Sequence, residues 1–170
     1  AIVRYFTGLI YILHDGFSIN SSDNIQIIDP SNGFTTISQF SVGNGTNPKD
    51  IQVQNNRAFI SLYNPAGDSD NKDANGNPGD VIELNTDTGE ITNRWSFFNF
   101  LNDDGDKNAN ADQLLIVNNI LYVCLQDLES NTFAATAPGL IGMIDLQTNE
   151  ILGVIKLLGR NPMNFVTSSD

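Results

Sequence analysis

The chain is 170 residues and 18.6 kDa, with 8 basic and 20 acidic side chains, a formal net charge of -12 and a pI near 4.1. That is the length of one ordinary domain able to bury a core. The acidity excludes a nucleic-acid backbone or an anionic membrane surface as partner. Apolar residues at 40% exclude a disordered acidic tail. No apolar run reaches the roughly 20 residues of a membrane-spanning helix, so no membrane insertion is expected.

In chain order, the first 13 residues read as two β-rich runs around the tight-turn pair Thr7-Gly8. A loop from His14 to Ser22 follows. Next comes Asn24-Ile25-Gln26-Ile27-Ile28-Asp29, a polar turn at Pro30-Ser31-Asn32-Gly33, and a second strand. The same order returns. Asp50-Ile51-Gln52-Val53-Gln54 and Ala58-Phe59-Ile60-Ser61-Leu62 flank Asn55-Asn56. Asp80-Val81-Ile82-Glu83-Leu84-Asn85 then leads through Thr86-Asp87-Thr88-Gly89 into Glu90-Ile91. It returns again with Gln113-Leu114-Leu115-Ile116-Val117 and Ile120-Leu121-Tyr122-Val123-Cys124-Leu125 around Asn118-Asn119. Leu140-Ile141-Gly142-Met143-Ile144-Asp145 follows, turning at Leu146-Gln147-Thr148-Asn149. The unit is two consecutive hairpins repeated about every 50–60 residues, somewhat longer than the ~40–45 of a lean propeller blade. Helical periodicity is absent.

The expected fold is therefore all-β, an arc of three four-stranded β-propeller blades: residues 1–43, 47–101 and 110–159. Residues 163–170, opening on Met163-Asn164-Phe165-Val166, read as the first strand of a fourth blade. Three blades and a strand do not close a ring. The arc is expected either to belong to a larger propeller of about 6–8 blades or to assemble between chains through its bare faces and edges.

The Asn-Pro lead-ins Asn47-Pro48 and Asn161-Pro162, the second-strand runs at 58–61 and 121–124, and the hairpins Ile27-Ile28-Asp29-Pro30-Ser31-Asn32 and Met143-Ile144-Asp145-Leu146-Gln147-Thr148 carry a resemblance. They resemble the repeats of the bacterial surface-layer (YVTN-type) β-propeller family. The middle copy, Glu83-Leu84-Asn85-Thr86-Asp87-Thr88, departs from that pattern. The resemblance implies a propeller in an extracytoplasmic setting: secreted, periplasmic or at the cell surface. It implies no particular reaction.

Two acidic loops are the candidate metal sites. In the loop 67–80, Asp68 and Asp70 precede Asn71, Asp73 and Asn75 at alternate positions, then Gly76, with Asp80 at the end. Hard oxygen ligands at every second residue before a glycine suit calcium, although the twelfth-position acid is replaced by Ile82. In the loop 102–112, Asp104, Asp106, Asn108 and Asp112 alternate similarly. The bland alternative is a solvated polar loop. A bound Ca²⁺ would be structural, since clustered carboxylates repel unless a cation screens them.

Other candidates are weaker. Cys124 lies in an apolar run and reads as a buried thiol. His14-Asp15 could orient a base or ligand, but His14 is the only histidine. Trp95 and Phe97 share a face by alternation and read as packing between blades. No phosphate loop, dinucleotide fingerprint or zinc cysteine set occurs. The expected function is a non-enzymatic binding or structural scaffold, with protein partners or self-association. The alternative is a segment of a propeller enzyme, hydrolase, lactonase or redox protein, whose site lies at the central funnel and partly outside this chain.

Overall fold

The computed structural model describes residues 1–16, 23–101, 108–129 and 132–166. It contains three four-stranded antiparallel sheets, each a simple meander. The first is β1 (Ile2–Phe6), β2 (Leu9–His14), β3 (Asn24–Asp29) and β4 (Thr35–Ser41). The second is β5 (Pro48–Gln54), β6 (Arg57–Leu62), β7 (Val81–Asn85) and β8 (Ile91–Trp95). The third is β9 (Ala111–Val117), β10 (Ile120–Leu125), β11 (Leu140–Asp145) and β12 (Glu150–Lys156). Among the described residues the only helical pieces are three-residue 3₁₀ turns. The chain is thus an all-β propeller arc of three blades.

The local chemistry repeats with the strands. The first hairpin of each blade turns on residues with positive φ: Thr7 (48°) with Gly8 (90°), Asn55 (53°), and Asn118 (51°) with Asn119 (62°). Such turns match the twist of the paired strands. The second hairpin is capped by an acid or amide at the end of its first strand. Asp29 Oδ1 accepts Ser31 N at 2.8 Å, Asn85 Oδ1 accepts Asp87 N at 2.9 Å, and Asp145 Oδ1 accepts Gln147 N at 2.7 Å. This explains why Asn85 serves where the other copies have Asp: the turn needs only a side-chain acceptor. Each third strand also shifts register against the fourth at the same place, at Ile27/Ile28, Glu83/Leu84 and Met143/Ile144.

Alternation sends the two faces of each sheet to different neighbours. Tyr11, Leu13, Ile25 and Ile27 of blade one are buried against Ala58, Ile60, Leu62, Ile82 and Leu84 of blade two. The opposite face of blade two, with Phe59, Val81, Trp95 and Phe97, is buried against Leu121, Val123, Leu125 and Ile144 of blade three. The core is these two interfaces. Trp95 and Phe97 pack between blades, as their alternation predicts.

The passages between blades are also built alike. Asn47 (φ 52°), Asn110 (φ 48°) and Asn161 (φ 53°) adopt the left-handed conformation that asparagine tolerates better than most residues. Asn47 O accepts Tyr63 N at 3.1 Å, and Asn110 O accepts Gln126 N at 3.4 Å, tying each lead-in to its own second strand. A buried aspartate at the start of the third strand holds the next passage: Asp23 Oδ2 accepts Asn47 N at 2.9 Å, and Asp80 Oδ2 accepts Phe97 N at 2.7 Å. Blade three has Gly139 there, and a Cβ on it would lie 2.2 Å from Pro162 Cδ. The lead-in at 161–162 therefore packs directly on that glycine. Of residues 163–170, expected to be the first strand of a fourth blade, 163–166 form no strand and 167–170 lie outside the described residues. A ladder needs a partner strand, and each of the three sheets is complete with four.

Candidate functional site

The first strands β1, β5 and β9 line the inside of the arc, and their chemistry meets at one end. Arg4 of β1 reaches across to blade two, where its Nη2 pairs with Asp50 Oδ1 at 2.8 Å, and on to Gln113 Oε1 of blade three at 3.3 Å. Asp50 Oδ2 accepts Leu114 N at 3.0 Å, Ser61 Oγ donates to Asp112 O, and Gln52 Nε2 donates to Leu114 O at 3.2 Å. One polar seam thus stitches the three inner strands.

Above this seam lies a cavity of about 480 Å³ lined by Lys49, Tyr63, Asp112, Gln126, Phe133 and Met163. Lys49 Nζ stands 5.3 Å from the Tyr63 ring centroid and 3.9 Å from Asp15 Oδ2. Asp112 accepts from Gln126 Nε2 at 2.6 Å and from Gln113 Nε2 at 3.3 Å. Burial raises the pKa of Asp50, against the opposing pull of Leu114 N–H and Arg4. Burial also raises Asp112, with the Asp50 charge adding to it. Cys124 is wholly buried, and burial with the Asp112 and Asp50 charges pushes its thiol up to about 12. It is no nucleophile at neutral pH. The mouth offers a cation, a carboxylate, an amide, a phenol and two apolar side chains, a mixture suited to holding a small molecule or a projecting side chain.

Among the described residues the acidic positions are not gathered into a ligand set. Asp68 Oδ1 accepts Asp70 N at 3.0 Å and its Oδ2 accepts Asn44 N at 3.2 Å. Asp73 Oδ1 accepts Asn75 N and Asn77 N, each at 2.9 Å. The buried Asn71 donates to Pro65 O and Gly79 O, closing the base of the loop. Asp80 is buried at the blade junction, and Asp112 lies within β9 at the mouth rather than in the preceding loop. Asn108 Oδ1 accepts Asn110 N at 3.2 Å. Asp104 and Asp106 lie outside the described residues. Among the described residues no three acidic, histidine or cysteine side chains could together hold a metal ion. His14 closes β2, with Nε2 3.0 Å from Gln26 Oε1.

The mouth residues Lys49, Tyr63 and Gln126 had no motif to mark them. Their only sequence signal is position: Lys49 follows the Asn-Pro lead-in, and Tyr63 and Gln126 each follow a second strand.

Comparison with solved structures agrees with this architecture. The computationally designed Ika8 protein aligns over 97% of this chain and 39% of its own, with a TM-score of 0.58 at 12% identity. A europium-containing methanol dehydrogenase, a propeller protein, aligns over 91% of this chain and 24% of its own, with a TM-score of 0.55 at 11% identity. A complex of KlAtg21 with the coiled coil of AgAtg16 aligns over 89% and 39%, at 0.50 and 12%. These likenesses show the fold alone. The chain spans about two fifths or less of each of those proteins. No family model and no curated protein matches it.

Proposed function

We propose that these blades belong to a non-enzymatic, extracytoplasmic β-propeller that acts as a binding scaffold, with recognition at the mouth of the inner strands. The observation that carries this reading is the cavity of about 480 Å³. Charged, amide and apolar groups from different blades meet there, each charged group already steadied by neighbours. The asparagine-rich, acidic composition and the surface-layer-like repeats support the location. The enzyme alternative draws on one observation, that Asp50 and Asp112 both have raised pKa values, with the Asp50 charge adding to the rise at Asp112, and such perturbed carboxyls gather at catalytic sites.

A thermal-shift screen of monosaccharides, free amino acids, dicarboxylates and short peptides tests the reading. Compounds that raise Tm of the native protein should lose that effect in Lys49→Ala and Tyr63→Ala. A screen without such compounds, or shifts that survive both substitutions, would count against it. Turnover that disappears in Asp112→Asn would favour the enzyme instead. We extend the proposal to a structural Ca²⁺ at the loop 67–80, for which Asp68 and Asp73 would have to exchange backbone donors for the cation. Tm should then rise with millimolar calcium and fall with chelator.

A further inference from the structure

We infer that the cleft between the outer strands of blades two and three is a binding site for a neutral sugar ring. The cleft holds about 430 Å³ and is lined by Asp73 and Asn75 of the loop 67–80, Arg94 and Trp95 of β8, and Glu150 and Ile151 of β12. It shares no lining residue with the mouth of the inner strands. Its volume falls within the about 300–1,000 Å³ of small-molecule sites. Both walls come from blades whose four strands are all present. The loop side is firmly built. Lys72 and Pro78 form a bridge, Gly79 N donates to Asn71 O at 3.2 Å, and Asp73 Oδ1 accepts Asn75 N and Asn77 N, each at 2.9 Å. A Cβ on Gly79 would lie 3.1 Å from Arg94 Cβ, so the base of the loop rests on β8. Groups fixed in advance lower the ordering cost of binding.

A second observation points to a ligand. Arg94 makes no hydrogen bond or ion pair with any described residue, and its Nε is buried without a partner. The side chains of Asn75 and Glu150 also make none among the described residues. A half-buried guanidinium in this state lacks acceptors, and a ligand oxygen in the cleft supplies one. The charges select the class. An anion drawn to Arg94 meets Asp73 and Glu150, and a cation drawn to those carboxylates meets Arg94. Carboxylates only accept, a guanidinium only donates, and an amide does both. A hydroxyl both donates and accepts through one oxygen, so adjacent hydroxyls on one ring match all three kinds of partner. Trp95 Nε1 already donates to Asn149 O at 2.8 Å, which leaves the indole its carbon rim. That rim and Ile151 supply the apolar surface for the C–H groups of the ring.

Trp95 is the only tryptophan of the chain, so its emission reports on this cleft. Fluorescence titrations of the 170-residue protein with the methyl glycosides of glucose, galactose, mannose and N-acetylglucosamine, and with cellobiose and lactose, test the inference. At least one of these sugars should shift the emission saturably in the millimolar range. Arg94→Ala should remove that shift. Asn75→Ala and Glu150→Ala change exposed side chains that hold nothing in the fold, so circular dichroism should stay unchanged. Each should weaken binding about tenfold, as the loss of one hydrogen bond does. Acetate and sulfate should give no saturable shift. Emission that no sugar moves, or a sugar shift that survives all three substitutions, would overturn the inference. So would a shift by acetate or sulfate that Arg94→Ala removes, which would make the cleft an anion site. A sugar shift lost in Lys49→Ala but kept in Asn75→Ala would place the sugar at the mouth instead and overturn it as well.

Discussion

Asp80 shows how one residue can serve the fold and strain it. Its carboxylate is fully buried at the junction of blades two and three, where it accepts Phe97 N. Burial raises its pKa to about 7; the Phe97 and Ala109 N–H groups oppose the rise, and the Asp73 charge adds to it. The unfolded value is near the ordinary ~3.9. Between those values the folded state holds the proton more tightly than the unfolded state. Asp80 therefore makes stability fall as pH rises from about 4 to about 7, after which the loss is complete. Asp80→Asn keeps an acceptor for Phe97 N and removes the charge. Its Tm relative to the native protein should climb across that range and stay higher at pH 8. Melting curves from pH 4 to 8 check this, and a difference that is flat or falls with pH would contradict it. The sequence showed Asp80 only as the last acid of a polar loop. Nothing in the local pattern of residues 67–80 reveals that this carboxylate is aimed at the next blade, because its partner is 17 residues away.

At the scale of the elements, the blades hold together through face-specific packing and through polar ties between neighbouring blades. Arg57 is held within blade two by Glu83, Nε to Oε1 at 2.7 Å, and reaches blade three, where Nη1 donates to Leu146 O and Nη2 to Asn149 Oδ1, each at 2.8 Å. Burial would raise the pKa of Glu83, but hydrogen bonds from Arg57 and Asn93 outweigh it and hold the carboxyl below its ordinary range. Close packing completes the interface at Gly142, where a Cβ would lie 2.4 Å from Phe97 Cζ. Gly142→Ala should therefore destabilise the fold by about 1–3 kcal/mol through overpacking. Gly159→Ala is the control, as its Cβ would meet nothing within 4 Å. Urea denaturation reads both, and equal midpoints would contradict the tight approach. The strands and their order were legible in the sequence because alternation and turn chemistry are local. Asp29, Asn85 and Asp145 mark their turns through contacts two residues on. The repeated register shift in the third strand was not legible, since no glycine or proline marks it in all three copies.

For the whole molecule, three copies of one four-stranded unit place their first strands side by side and their first-strand ends at a common mouth. The blade arrangement followed from the repeat. The mouth did not, because Arg4, Asp50 and Gln113 are distant in the chain and meet only through the curvature of the arc. The acidic loops drew attention by composition, yet their described carboxylates serve mainly as acceptors for nearby backbone N–H groups. The cavity is lined instead by residues whose position in the repeat, not their pattern, brings them together.

A double-mutant cycle on Arg4→Ala and Asp50→Asn, read by urea denaturation, tests most directly that the inner strands converge on one polar seam. The ion pair at 2.8 Å, with Asp50 almost wholly buried, predicts a coupling of about 1–3 kcal/mol between the two substitutions. Effects that add within about 0.5 kcal/mol would mean the two residues do not meet, and the convergence of the blades at this mouth would be wrong.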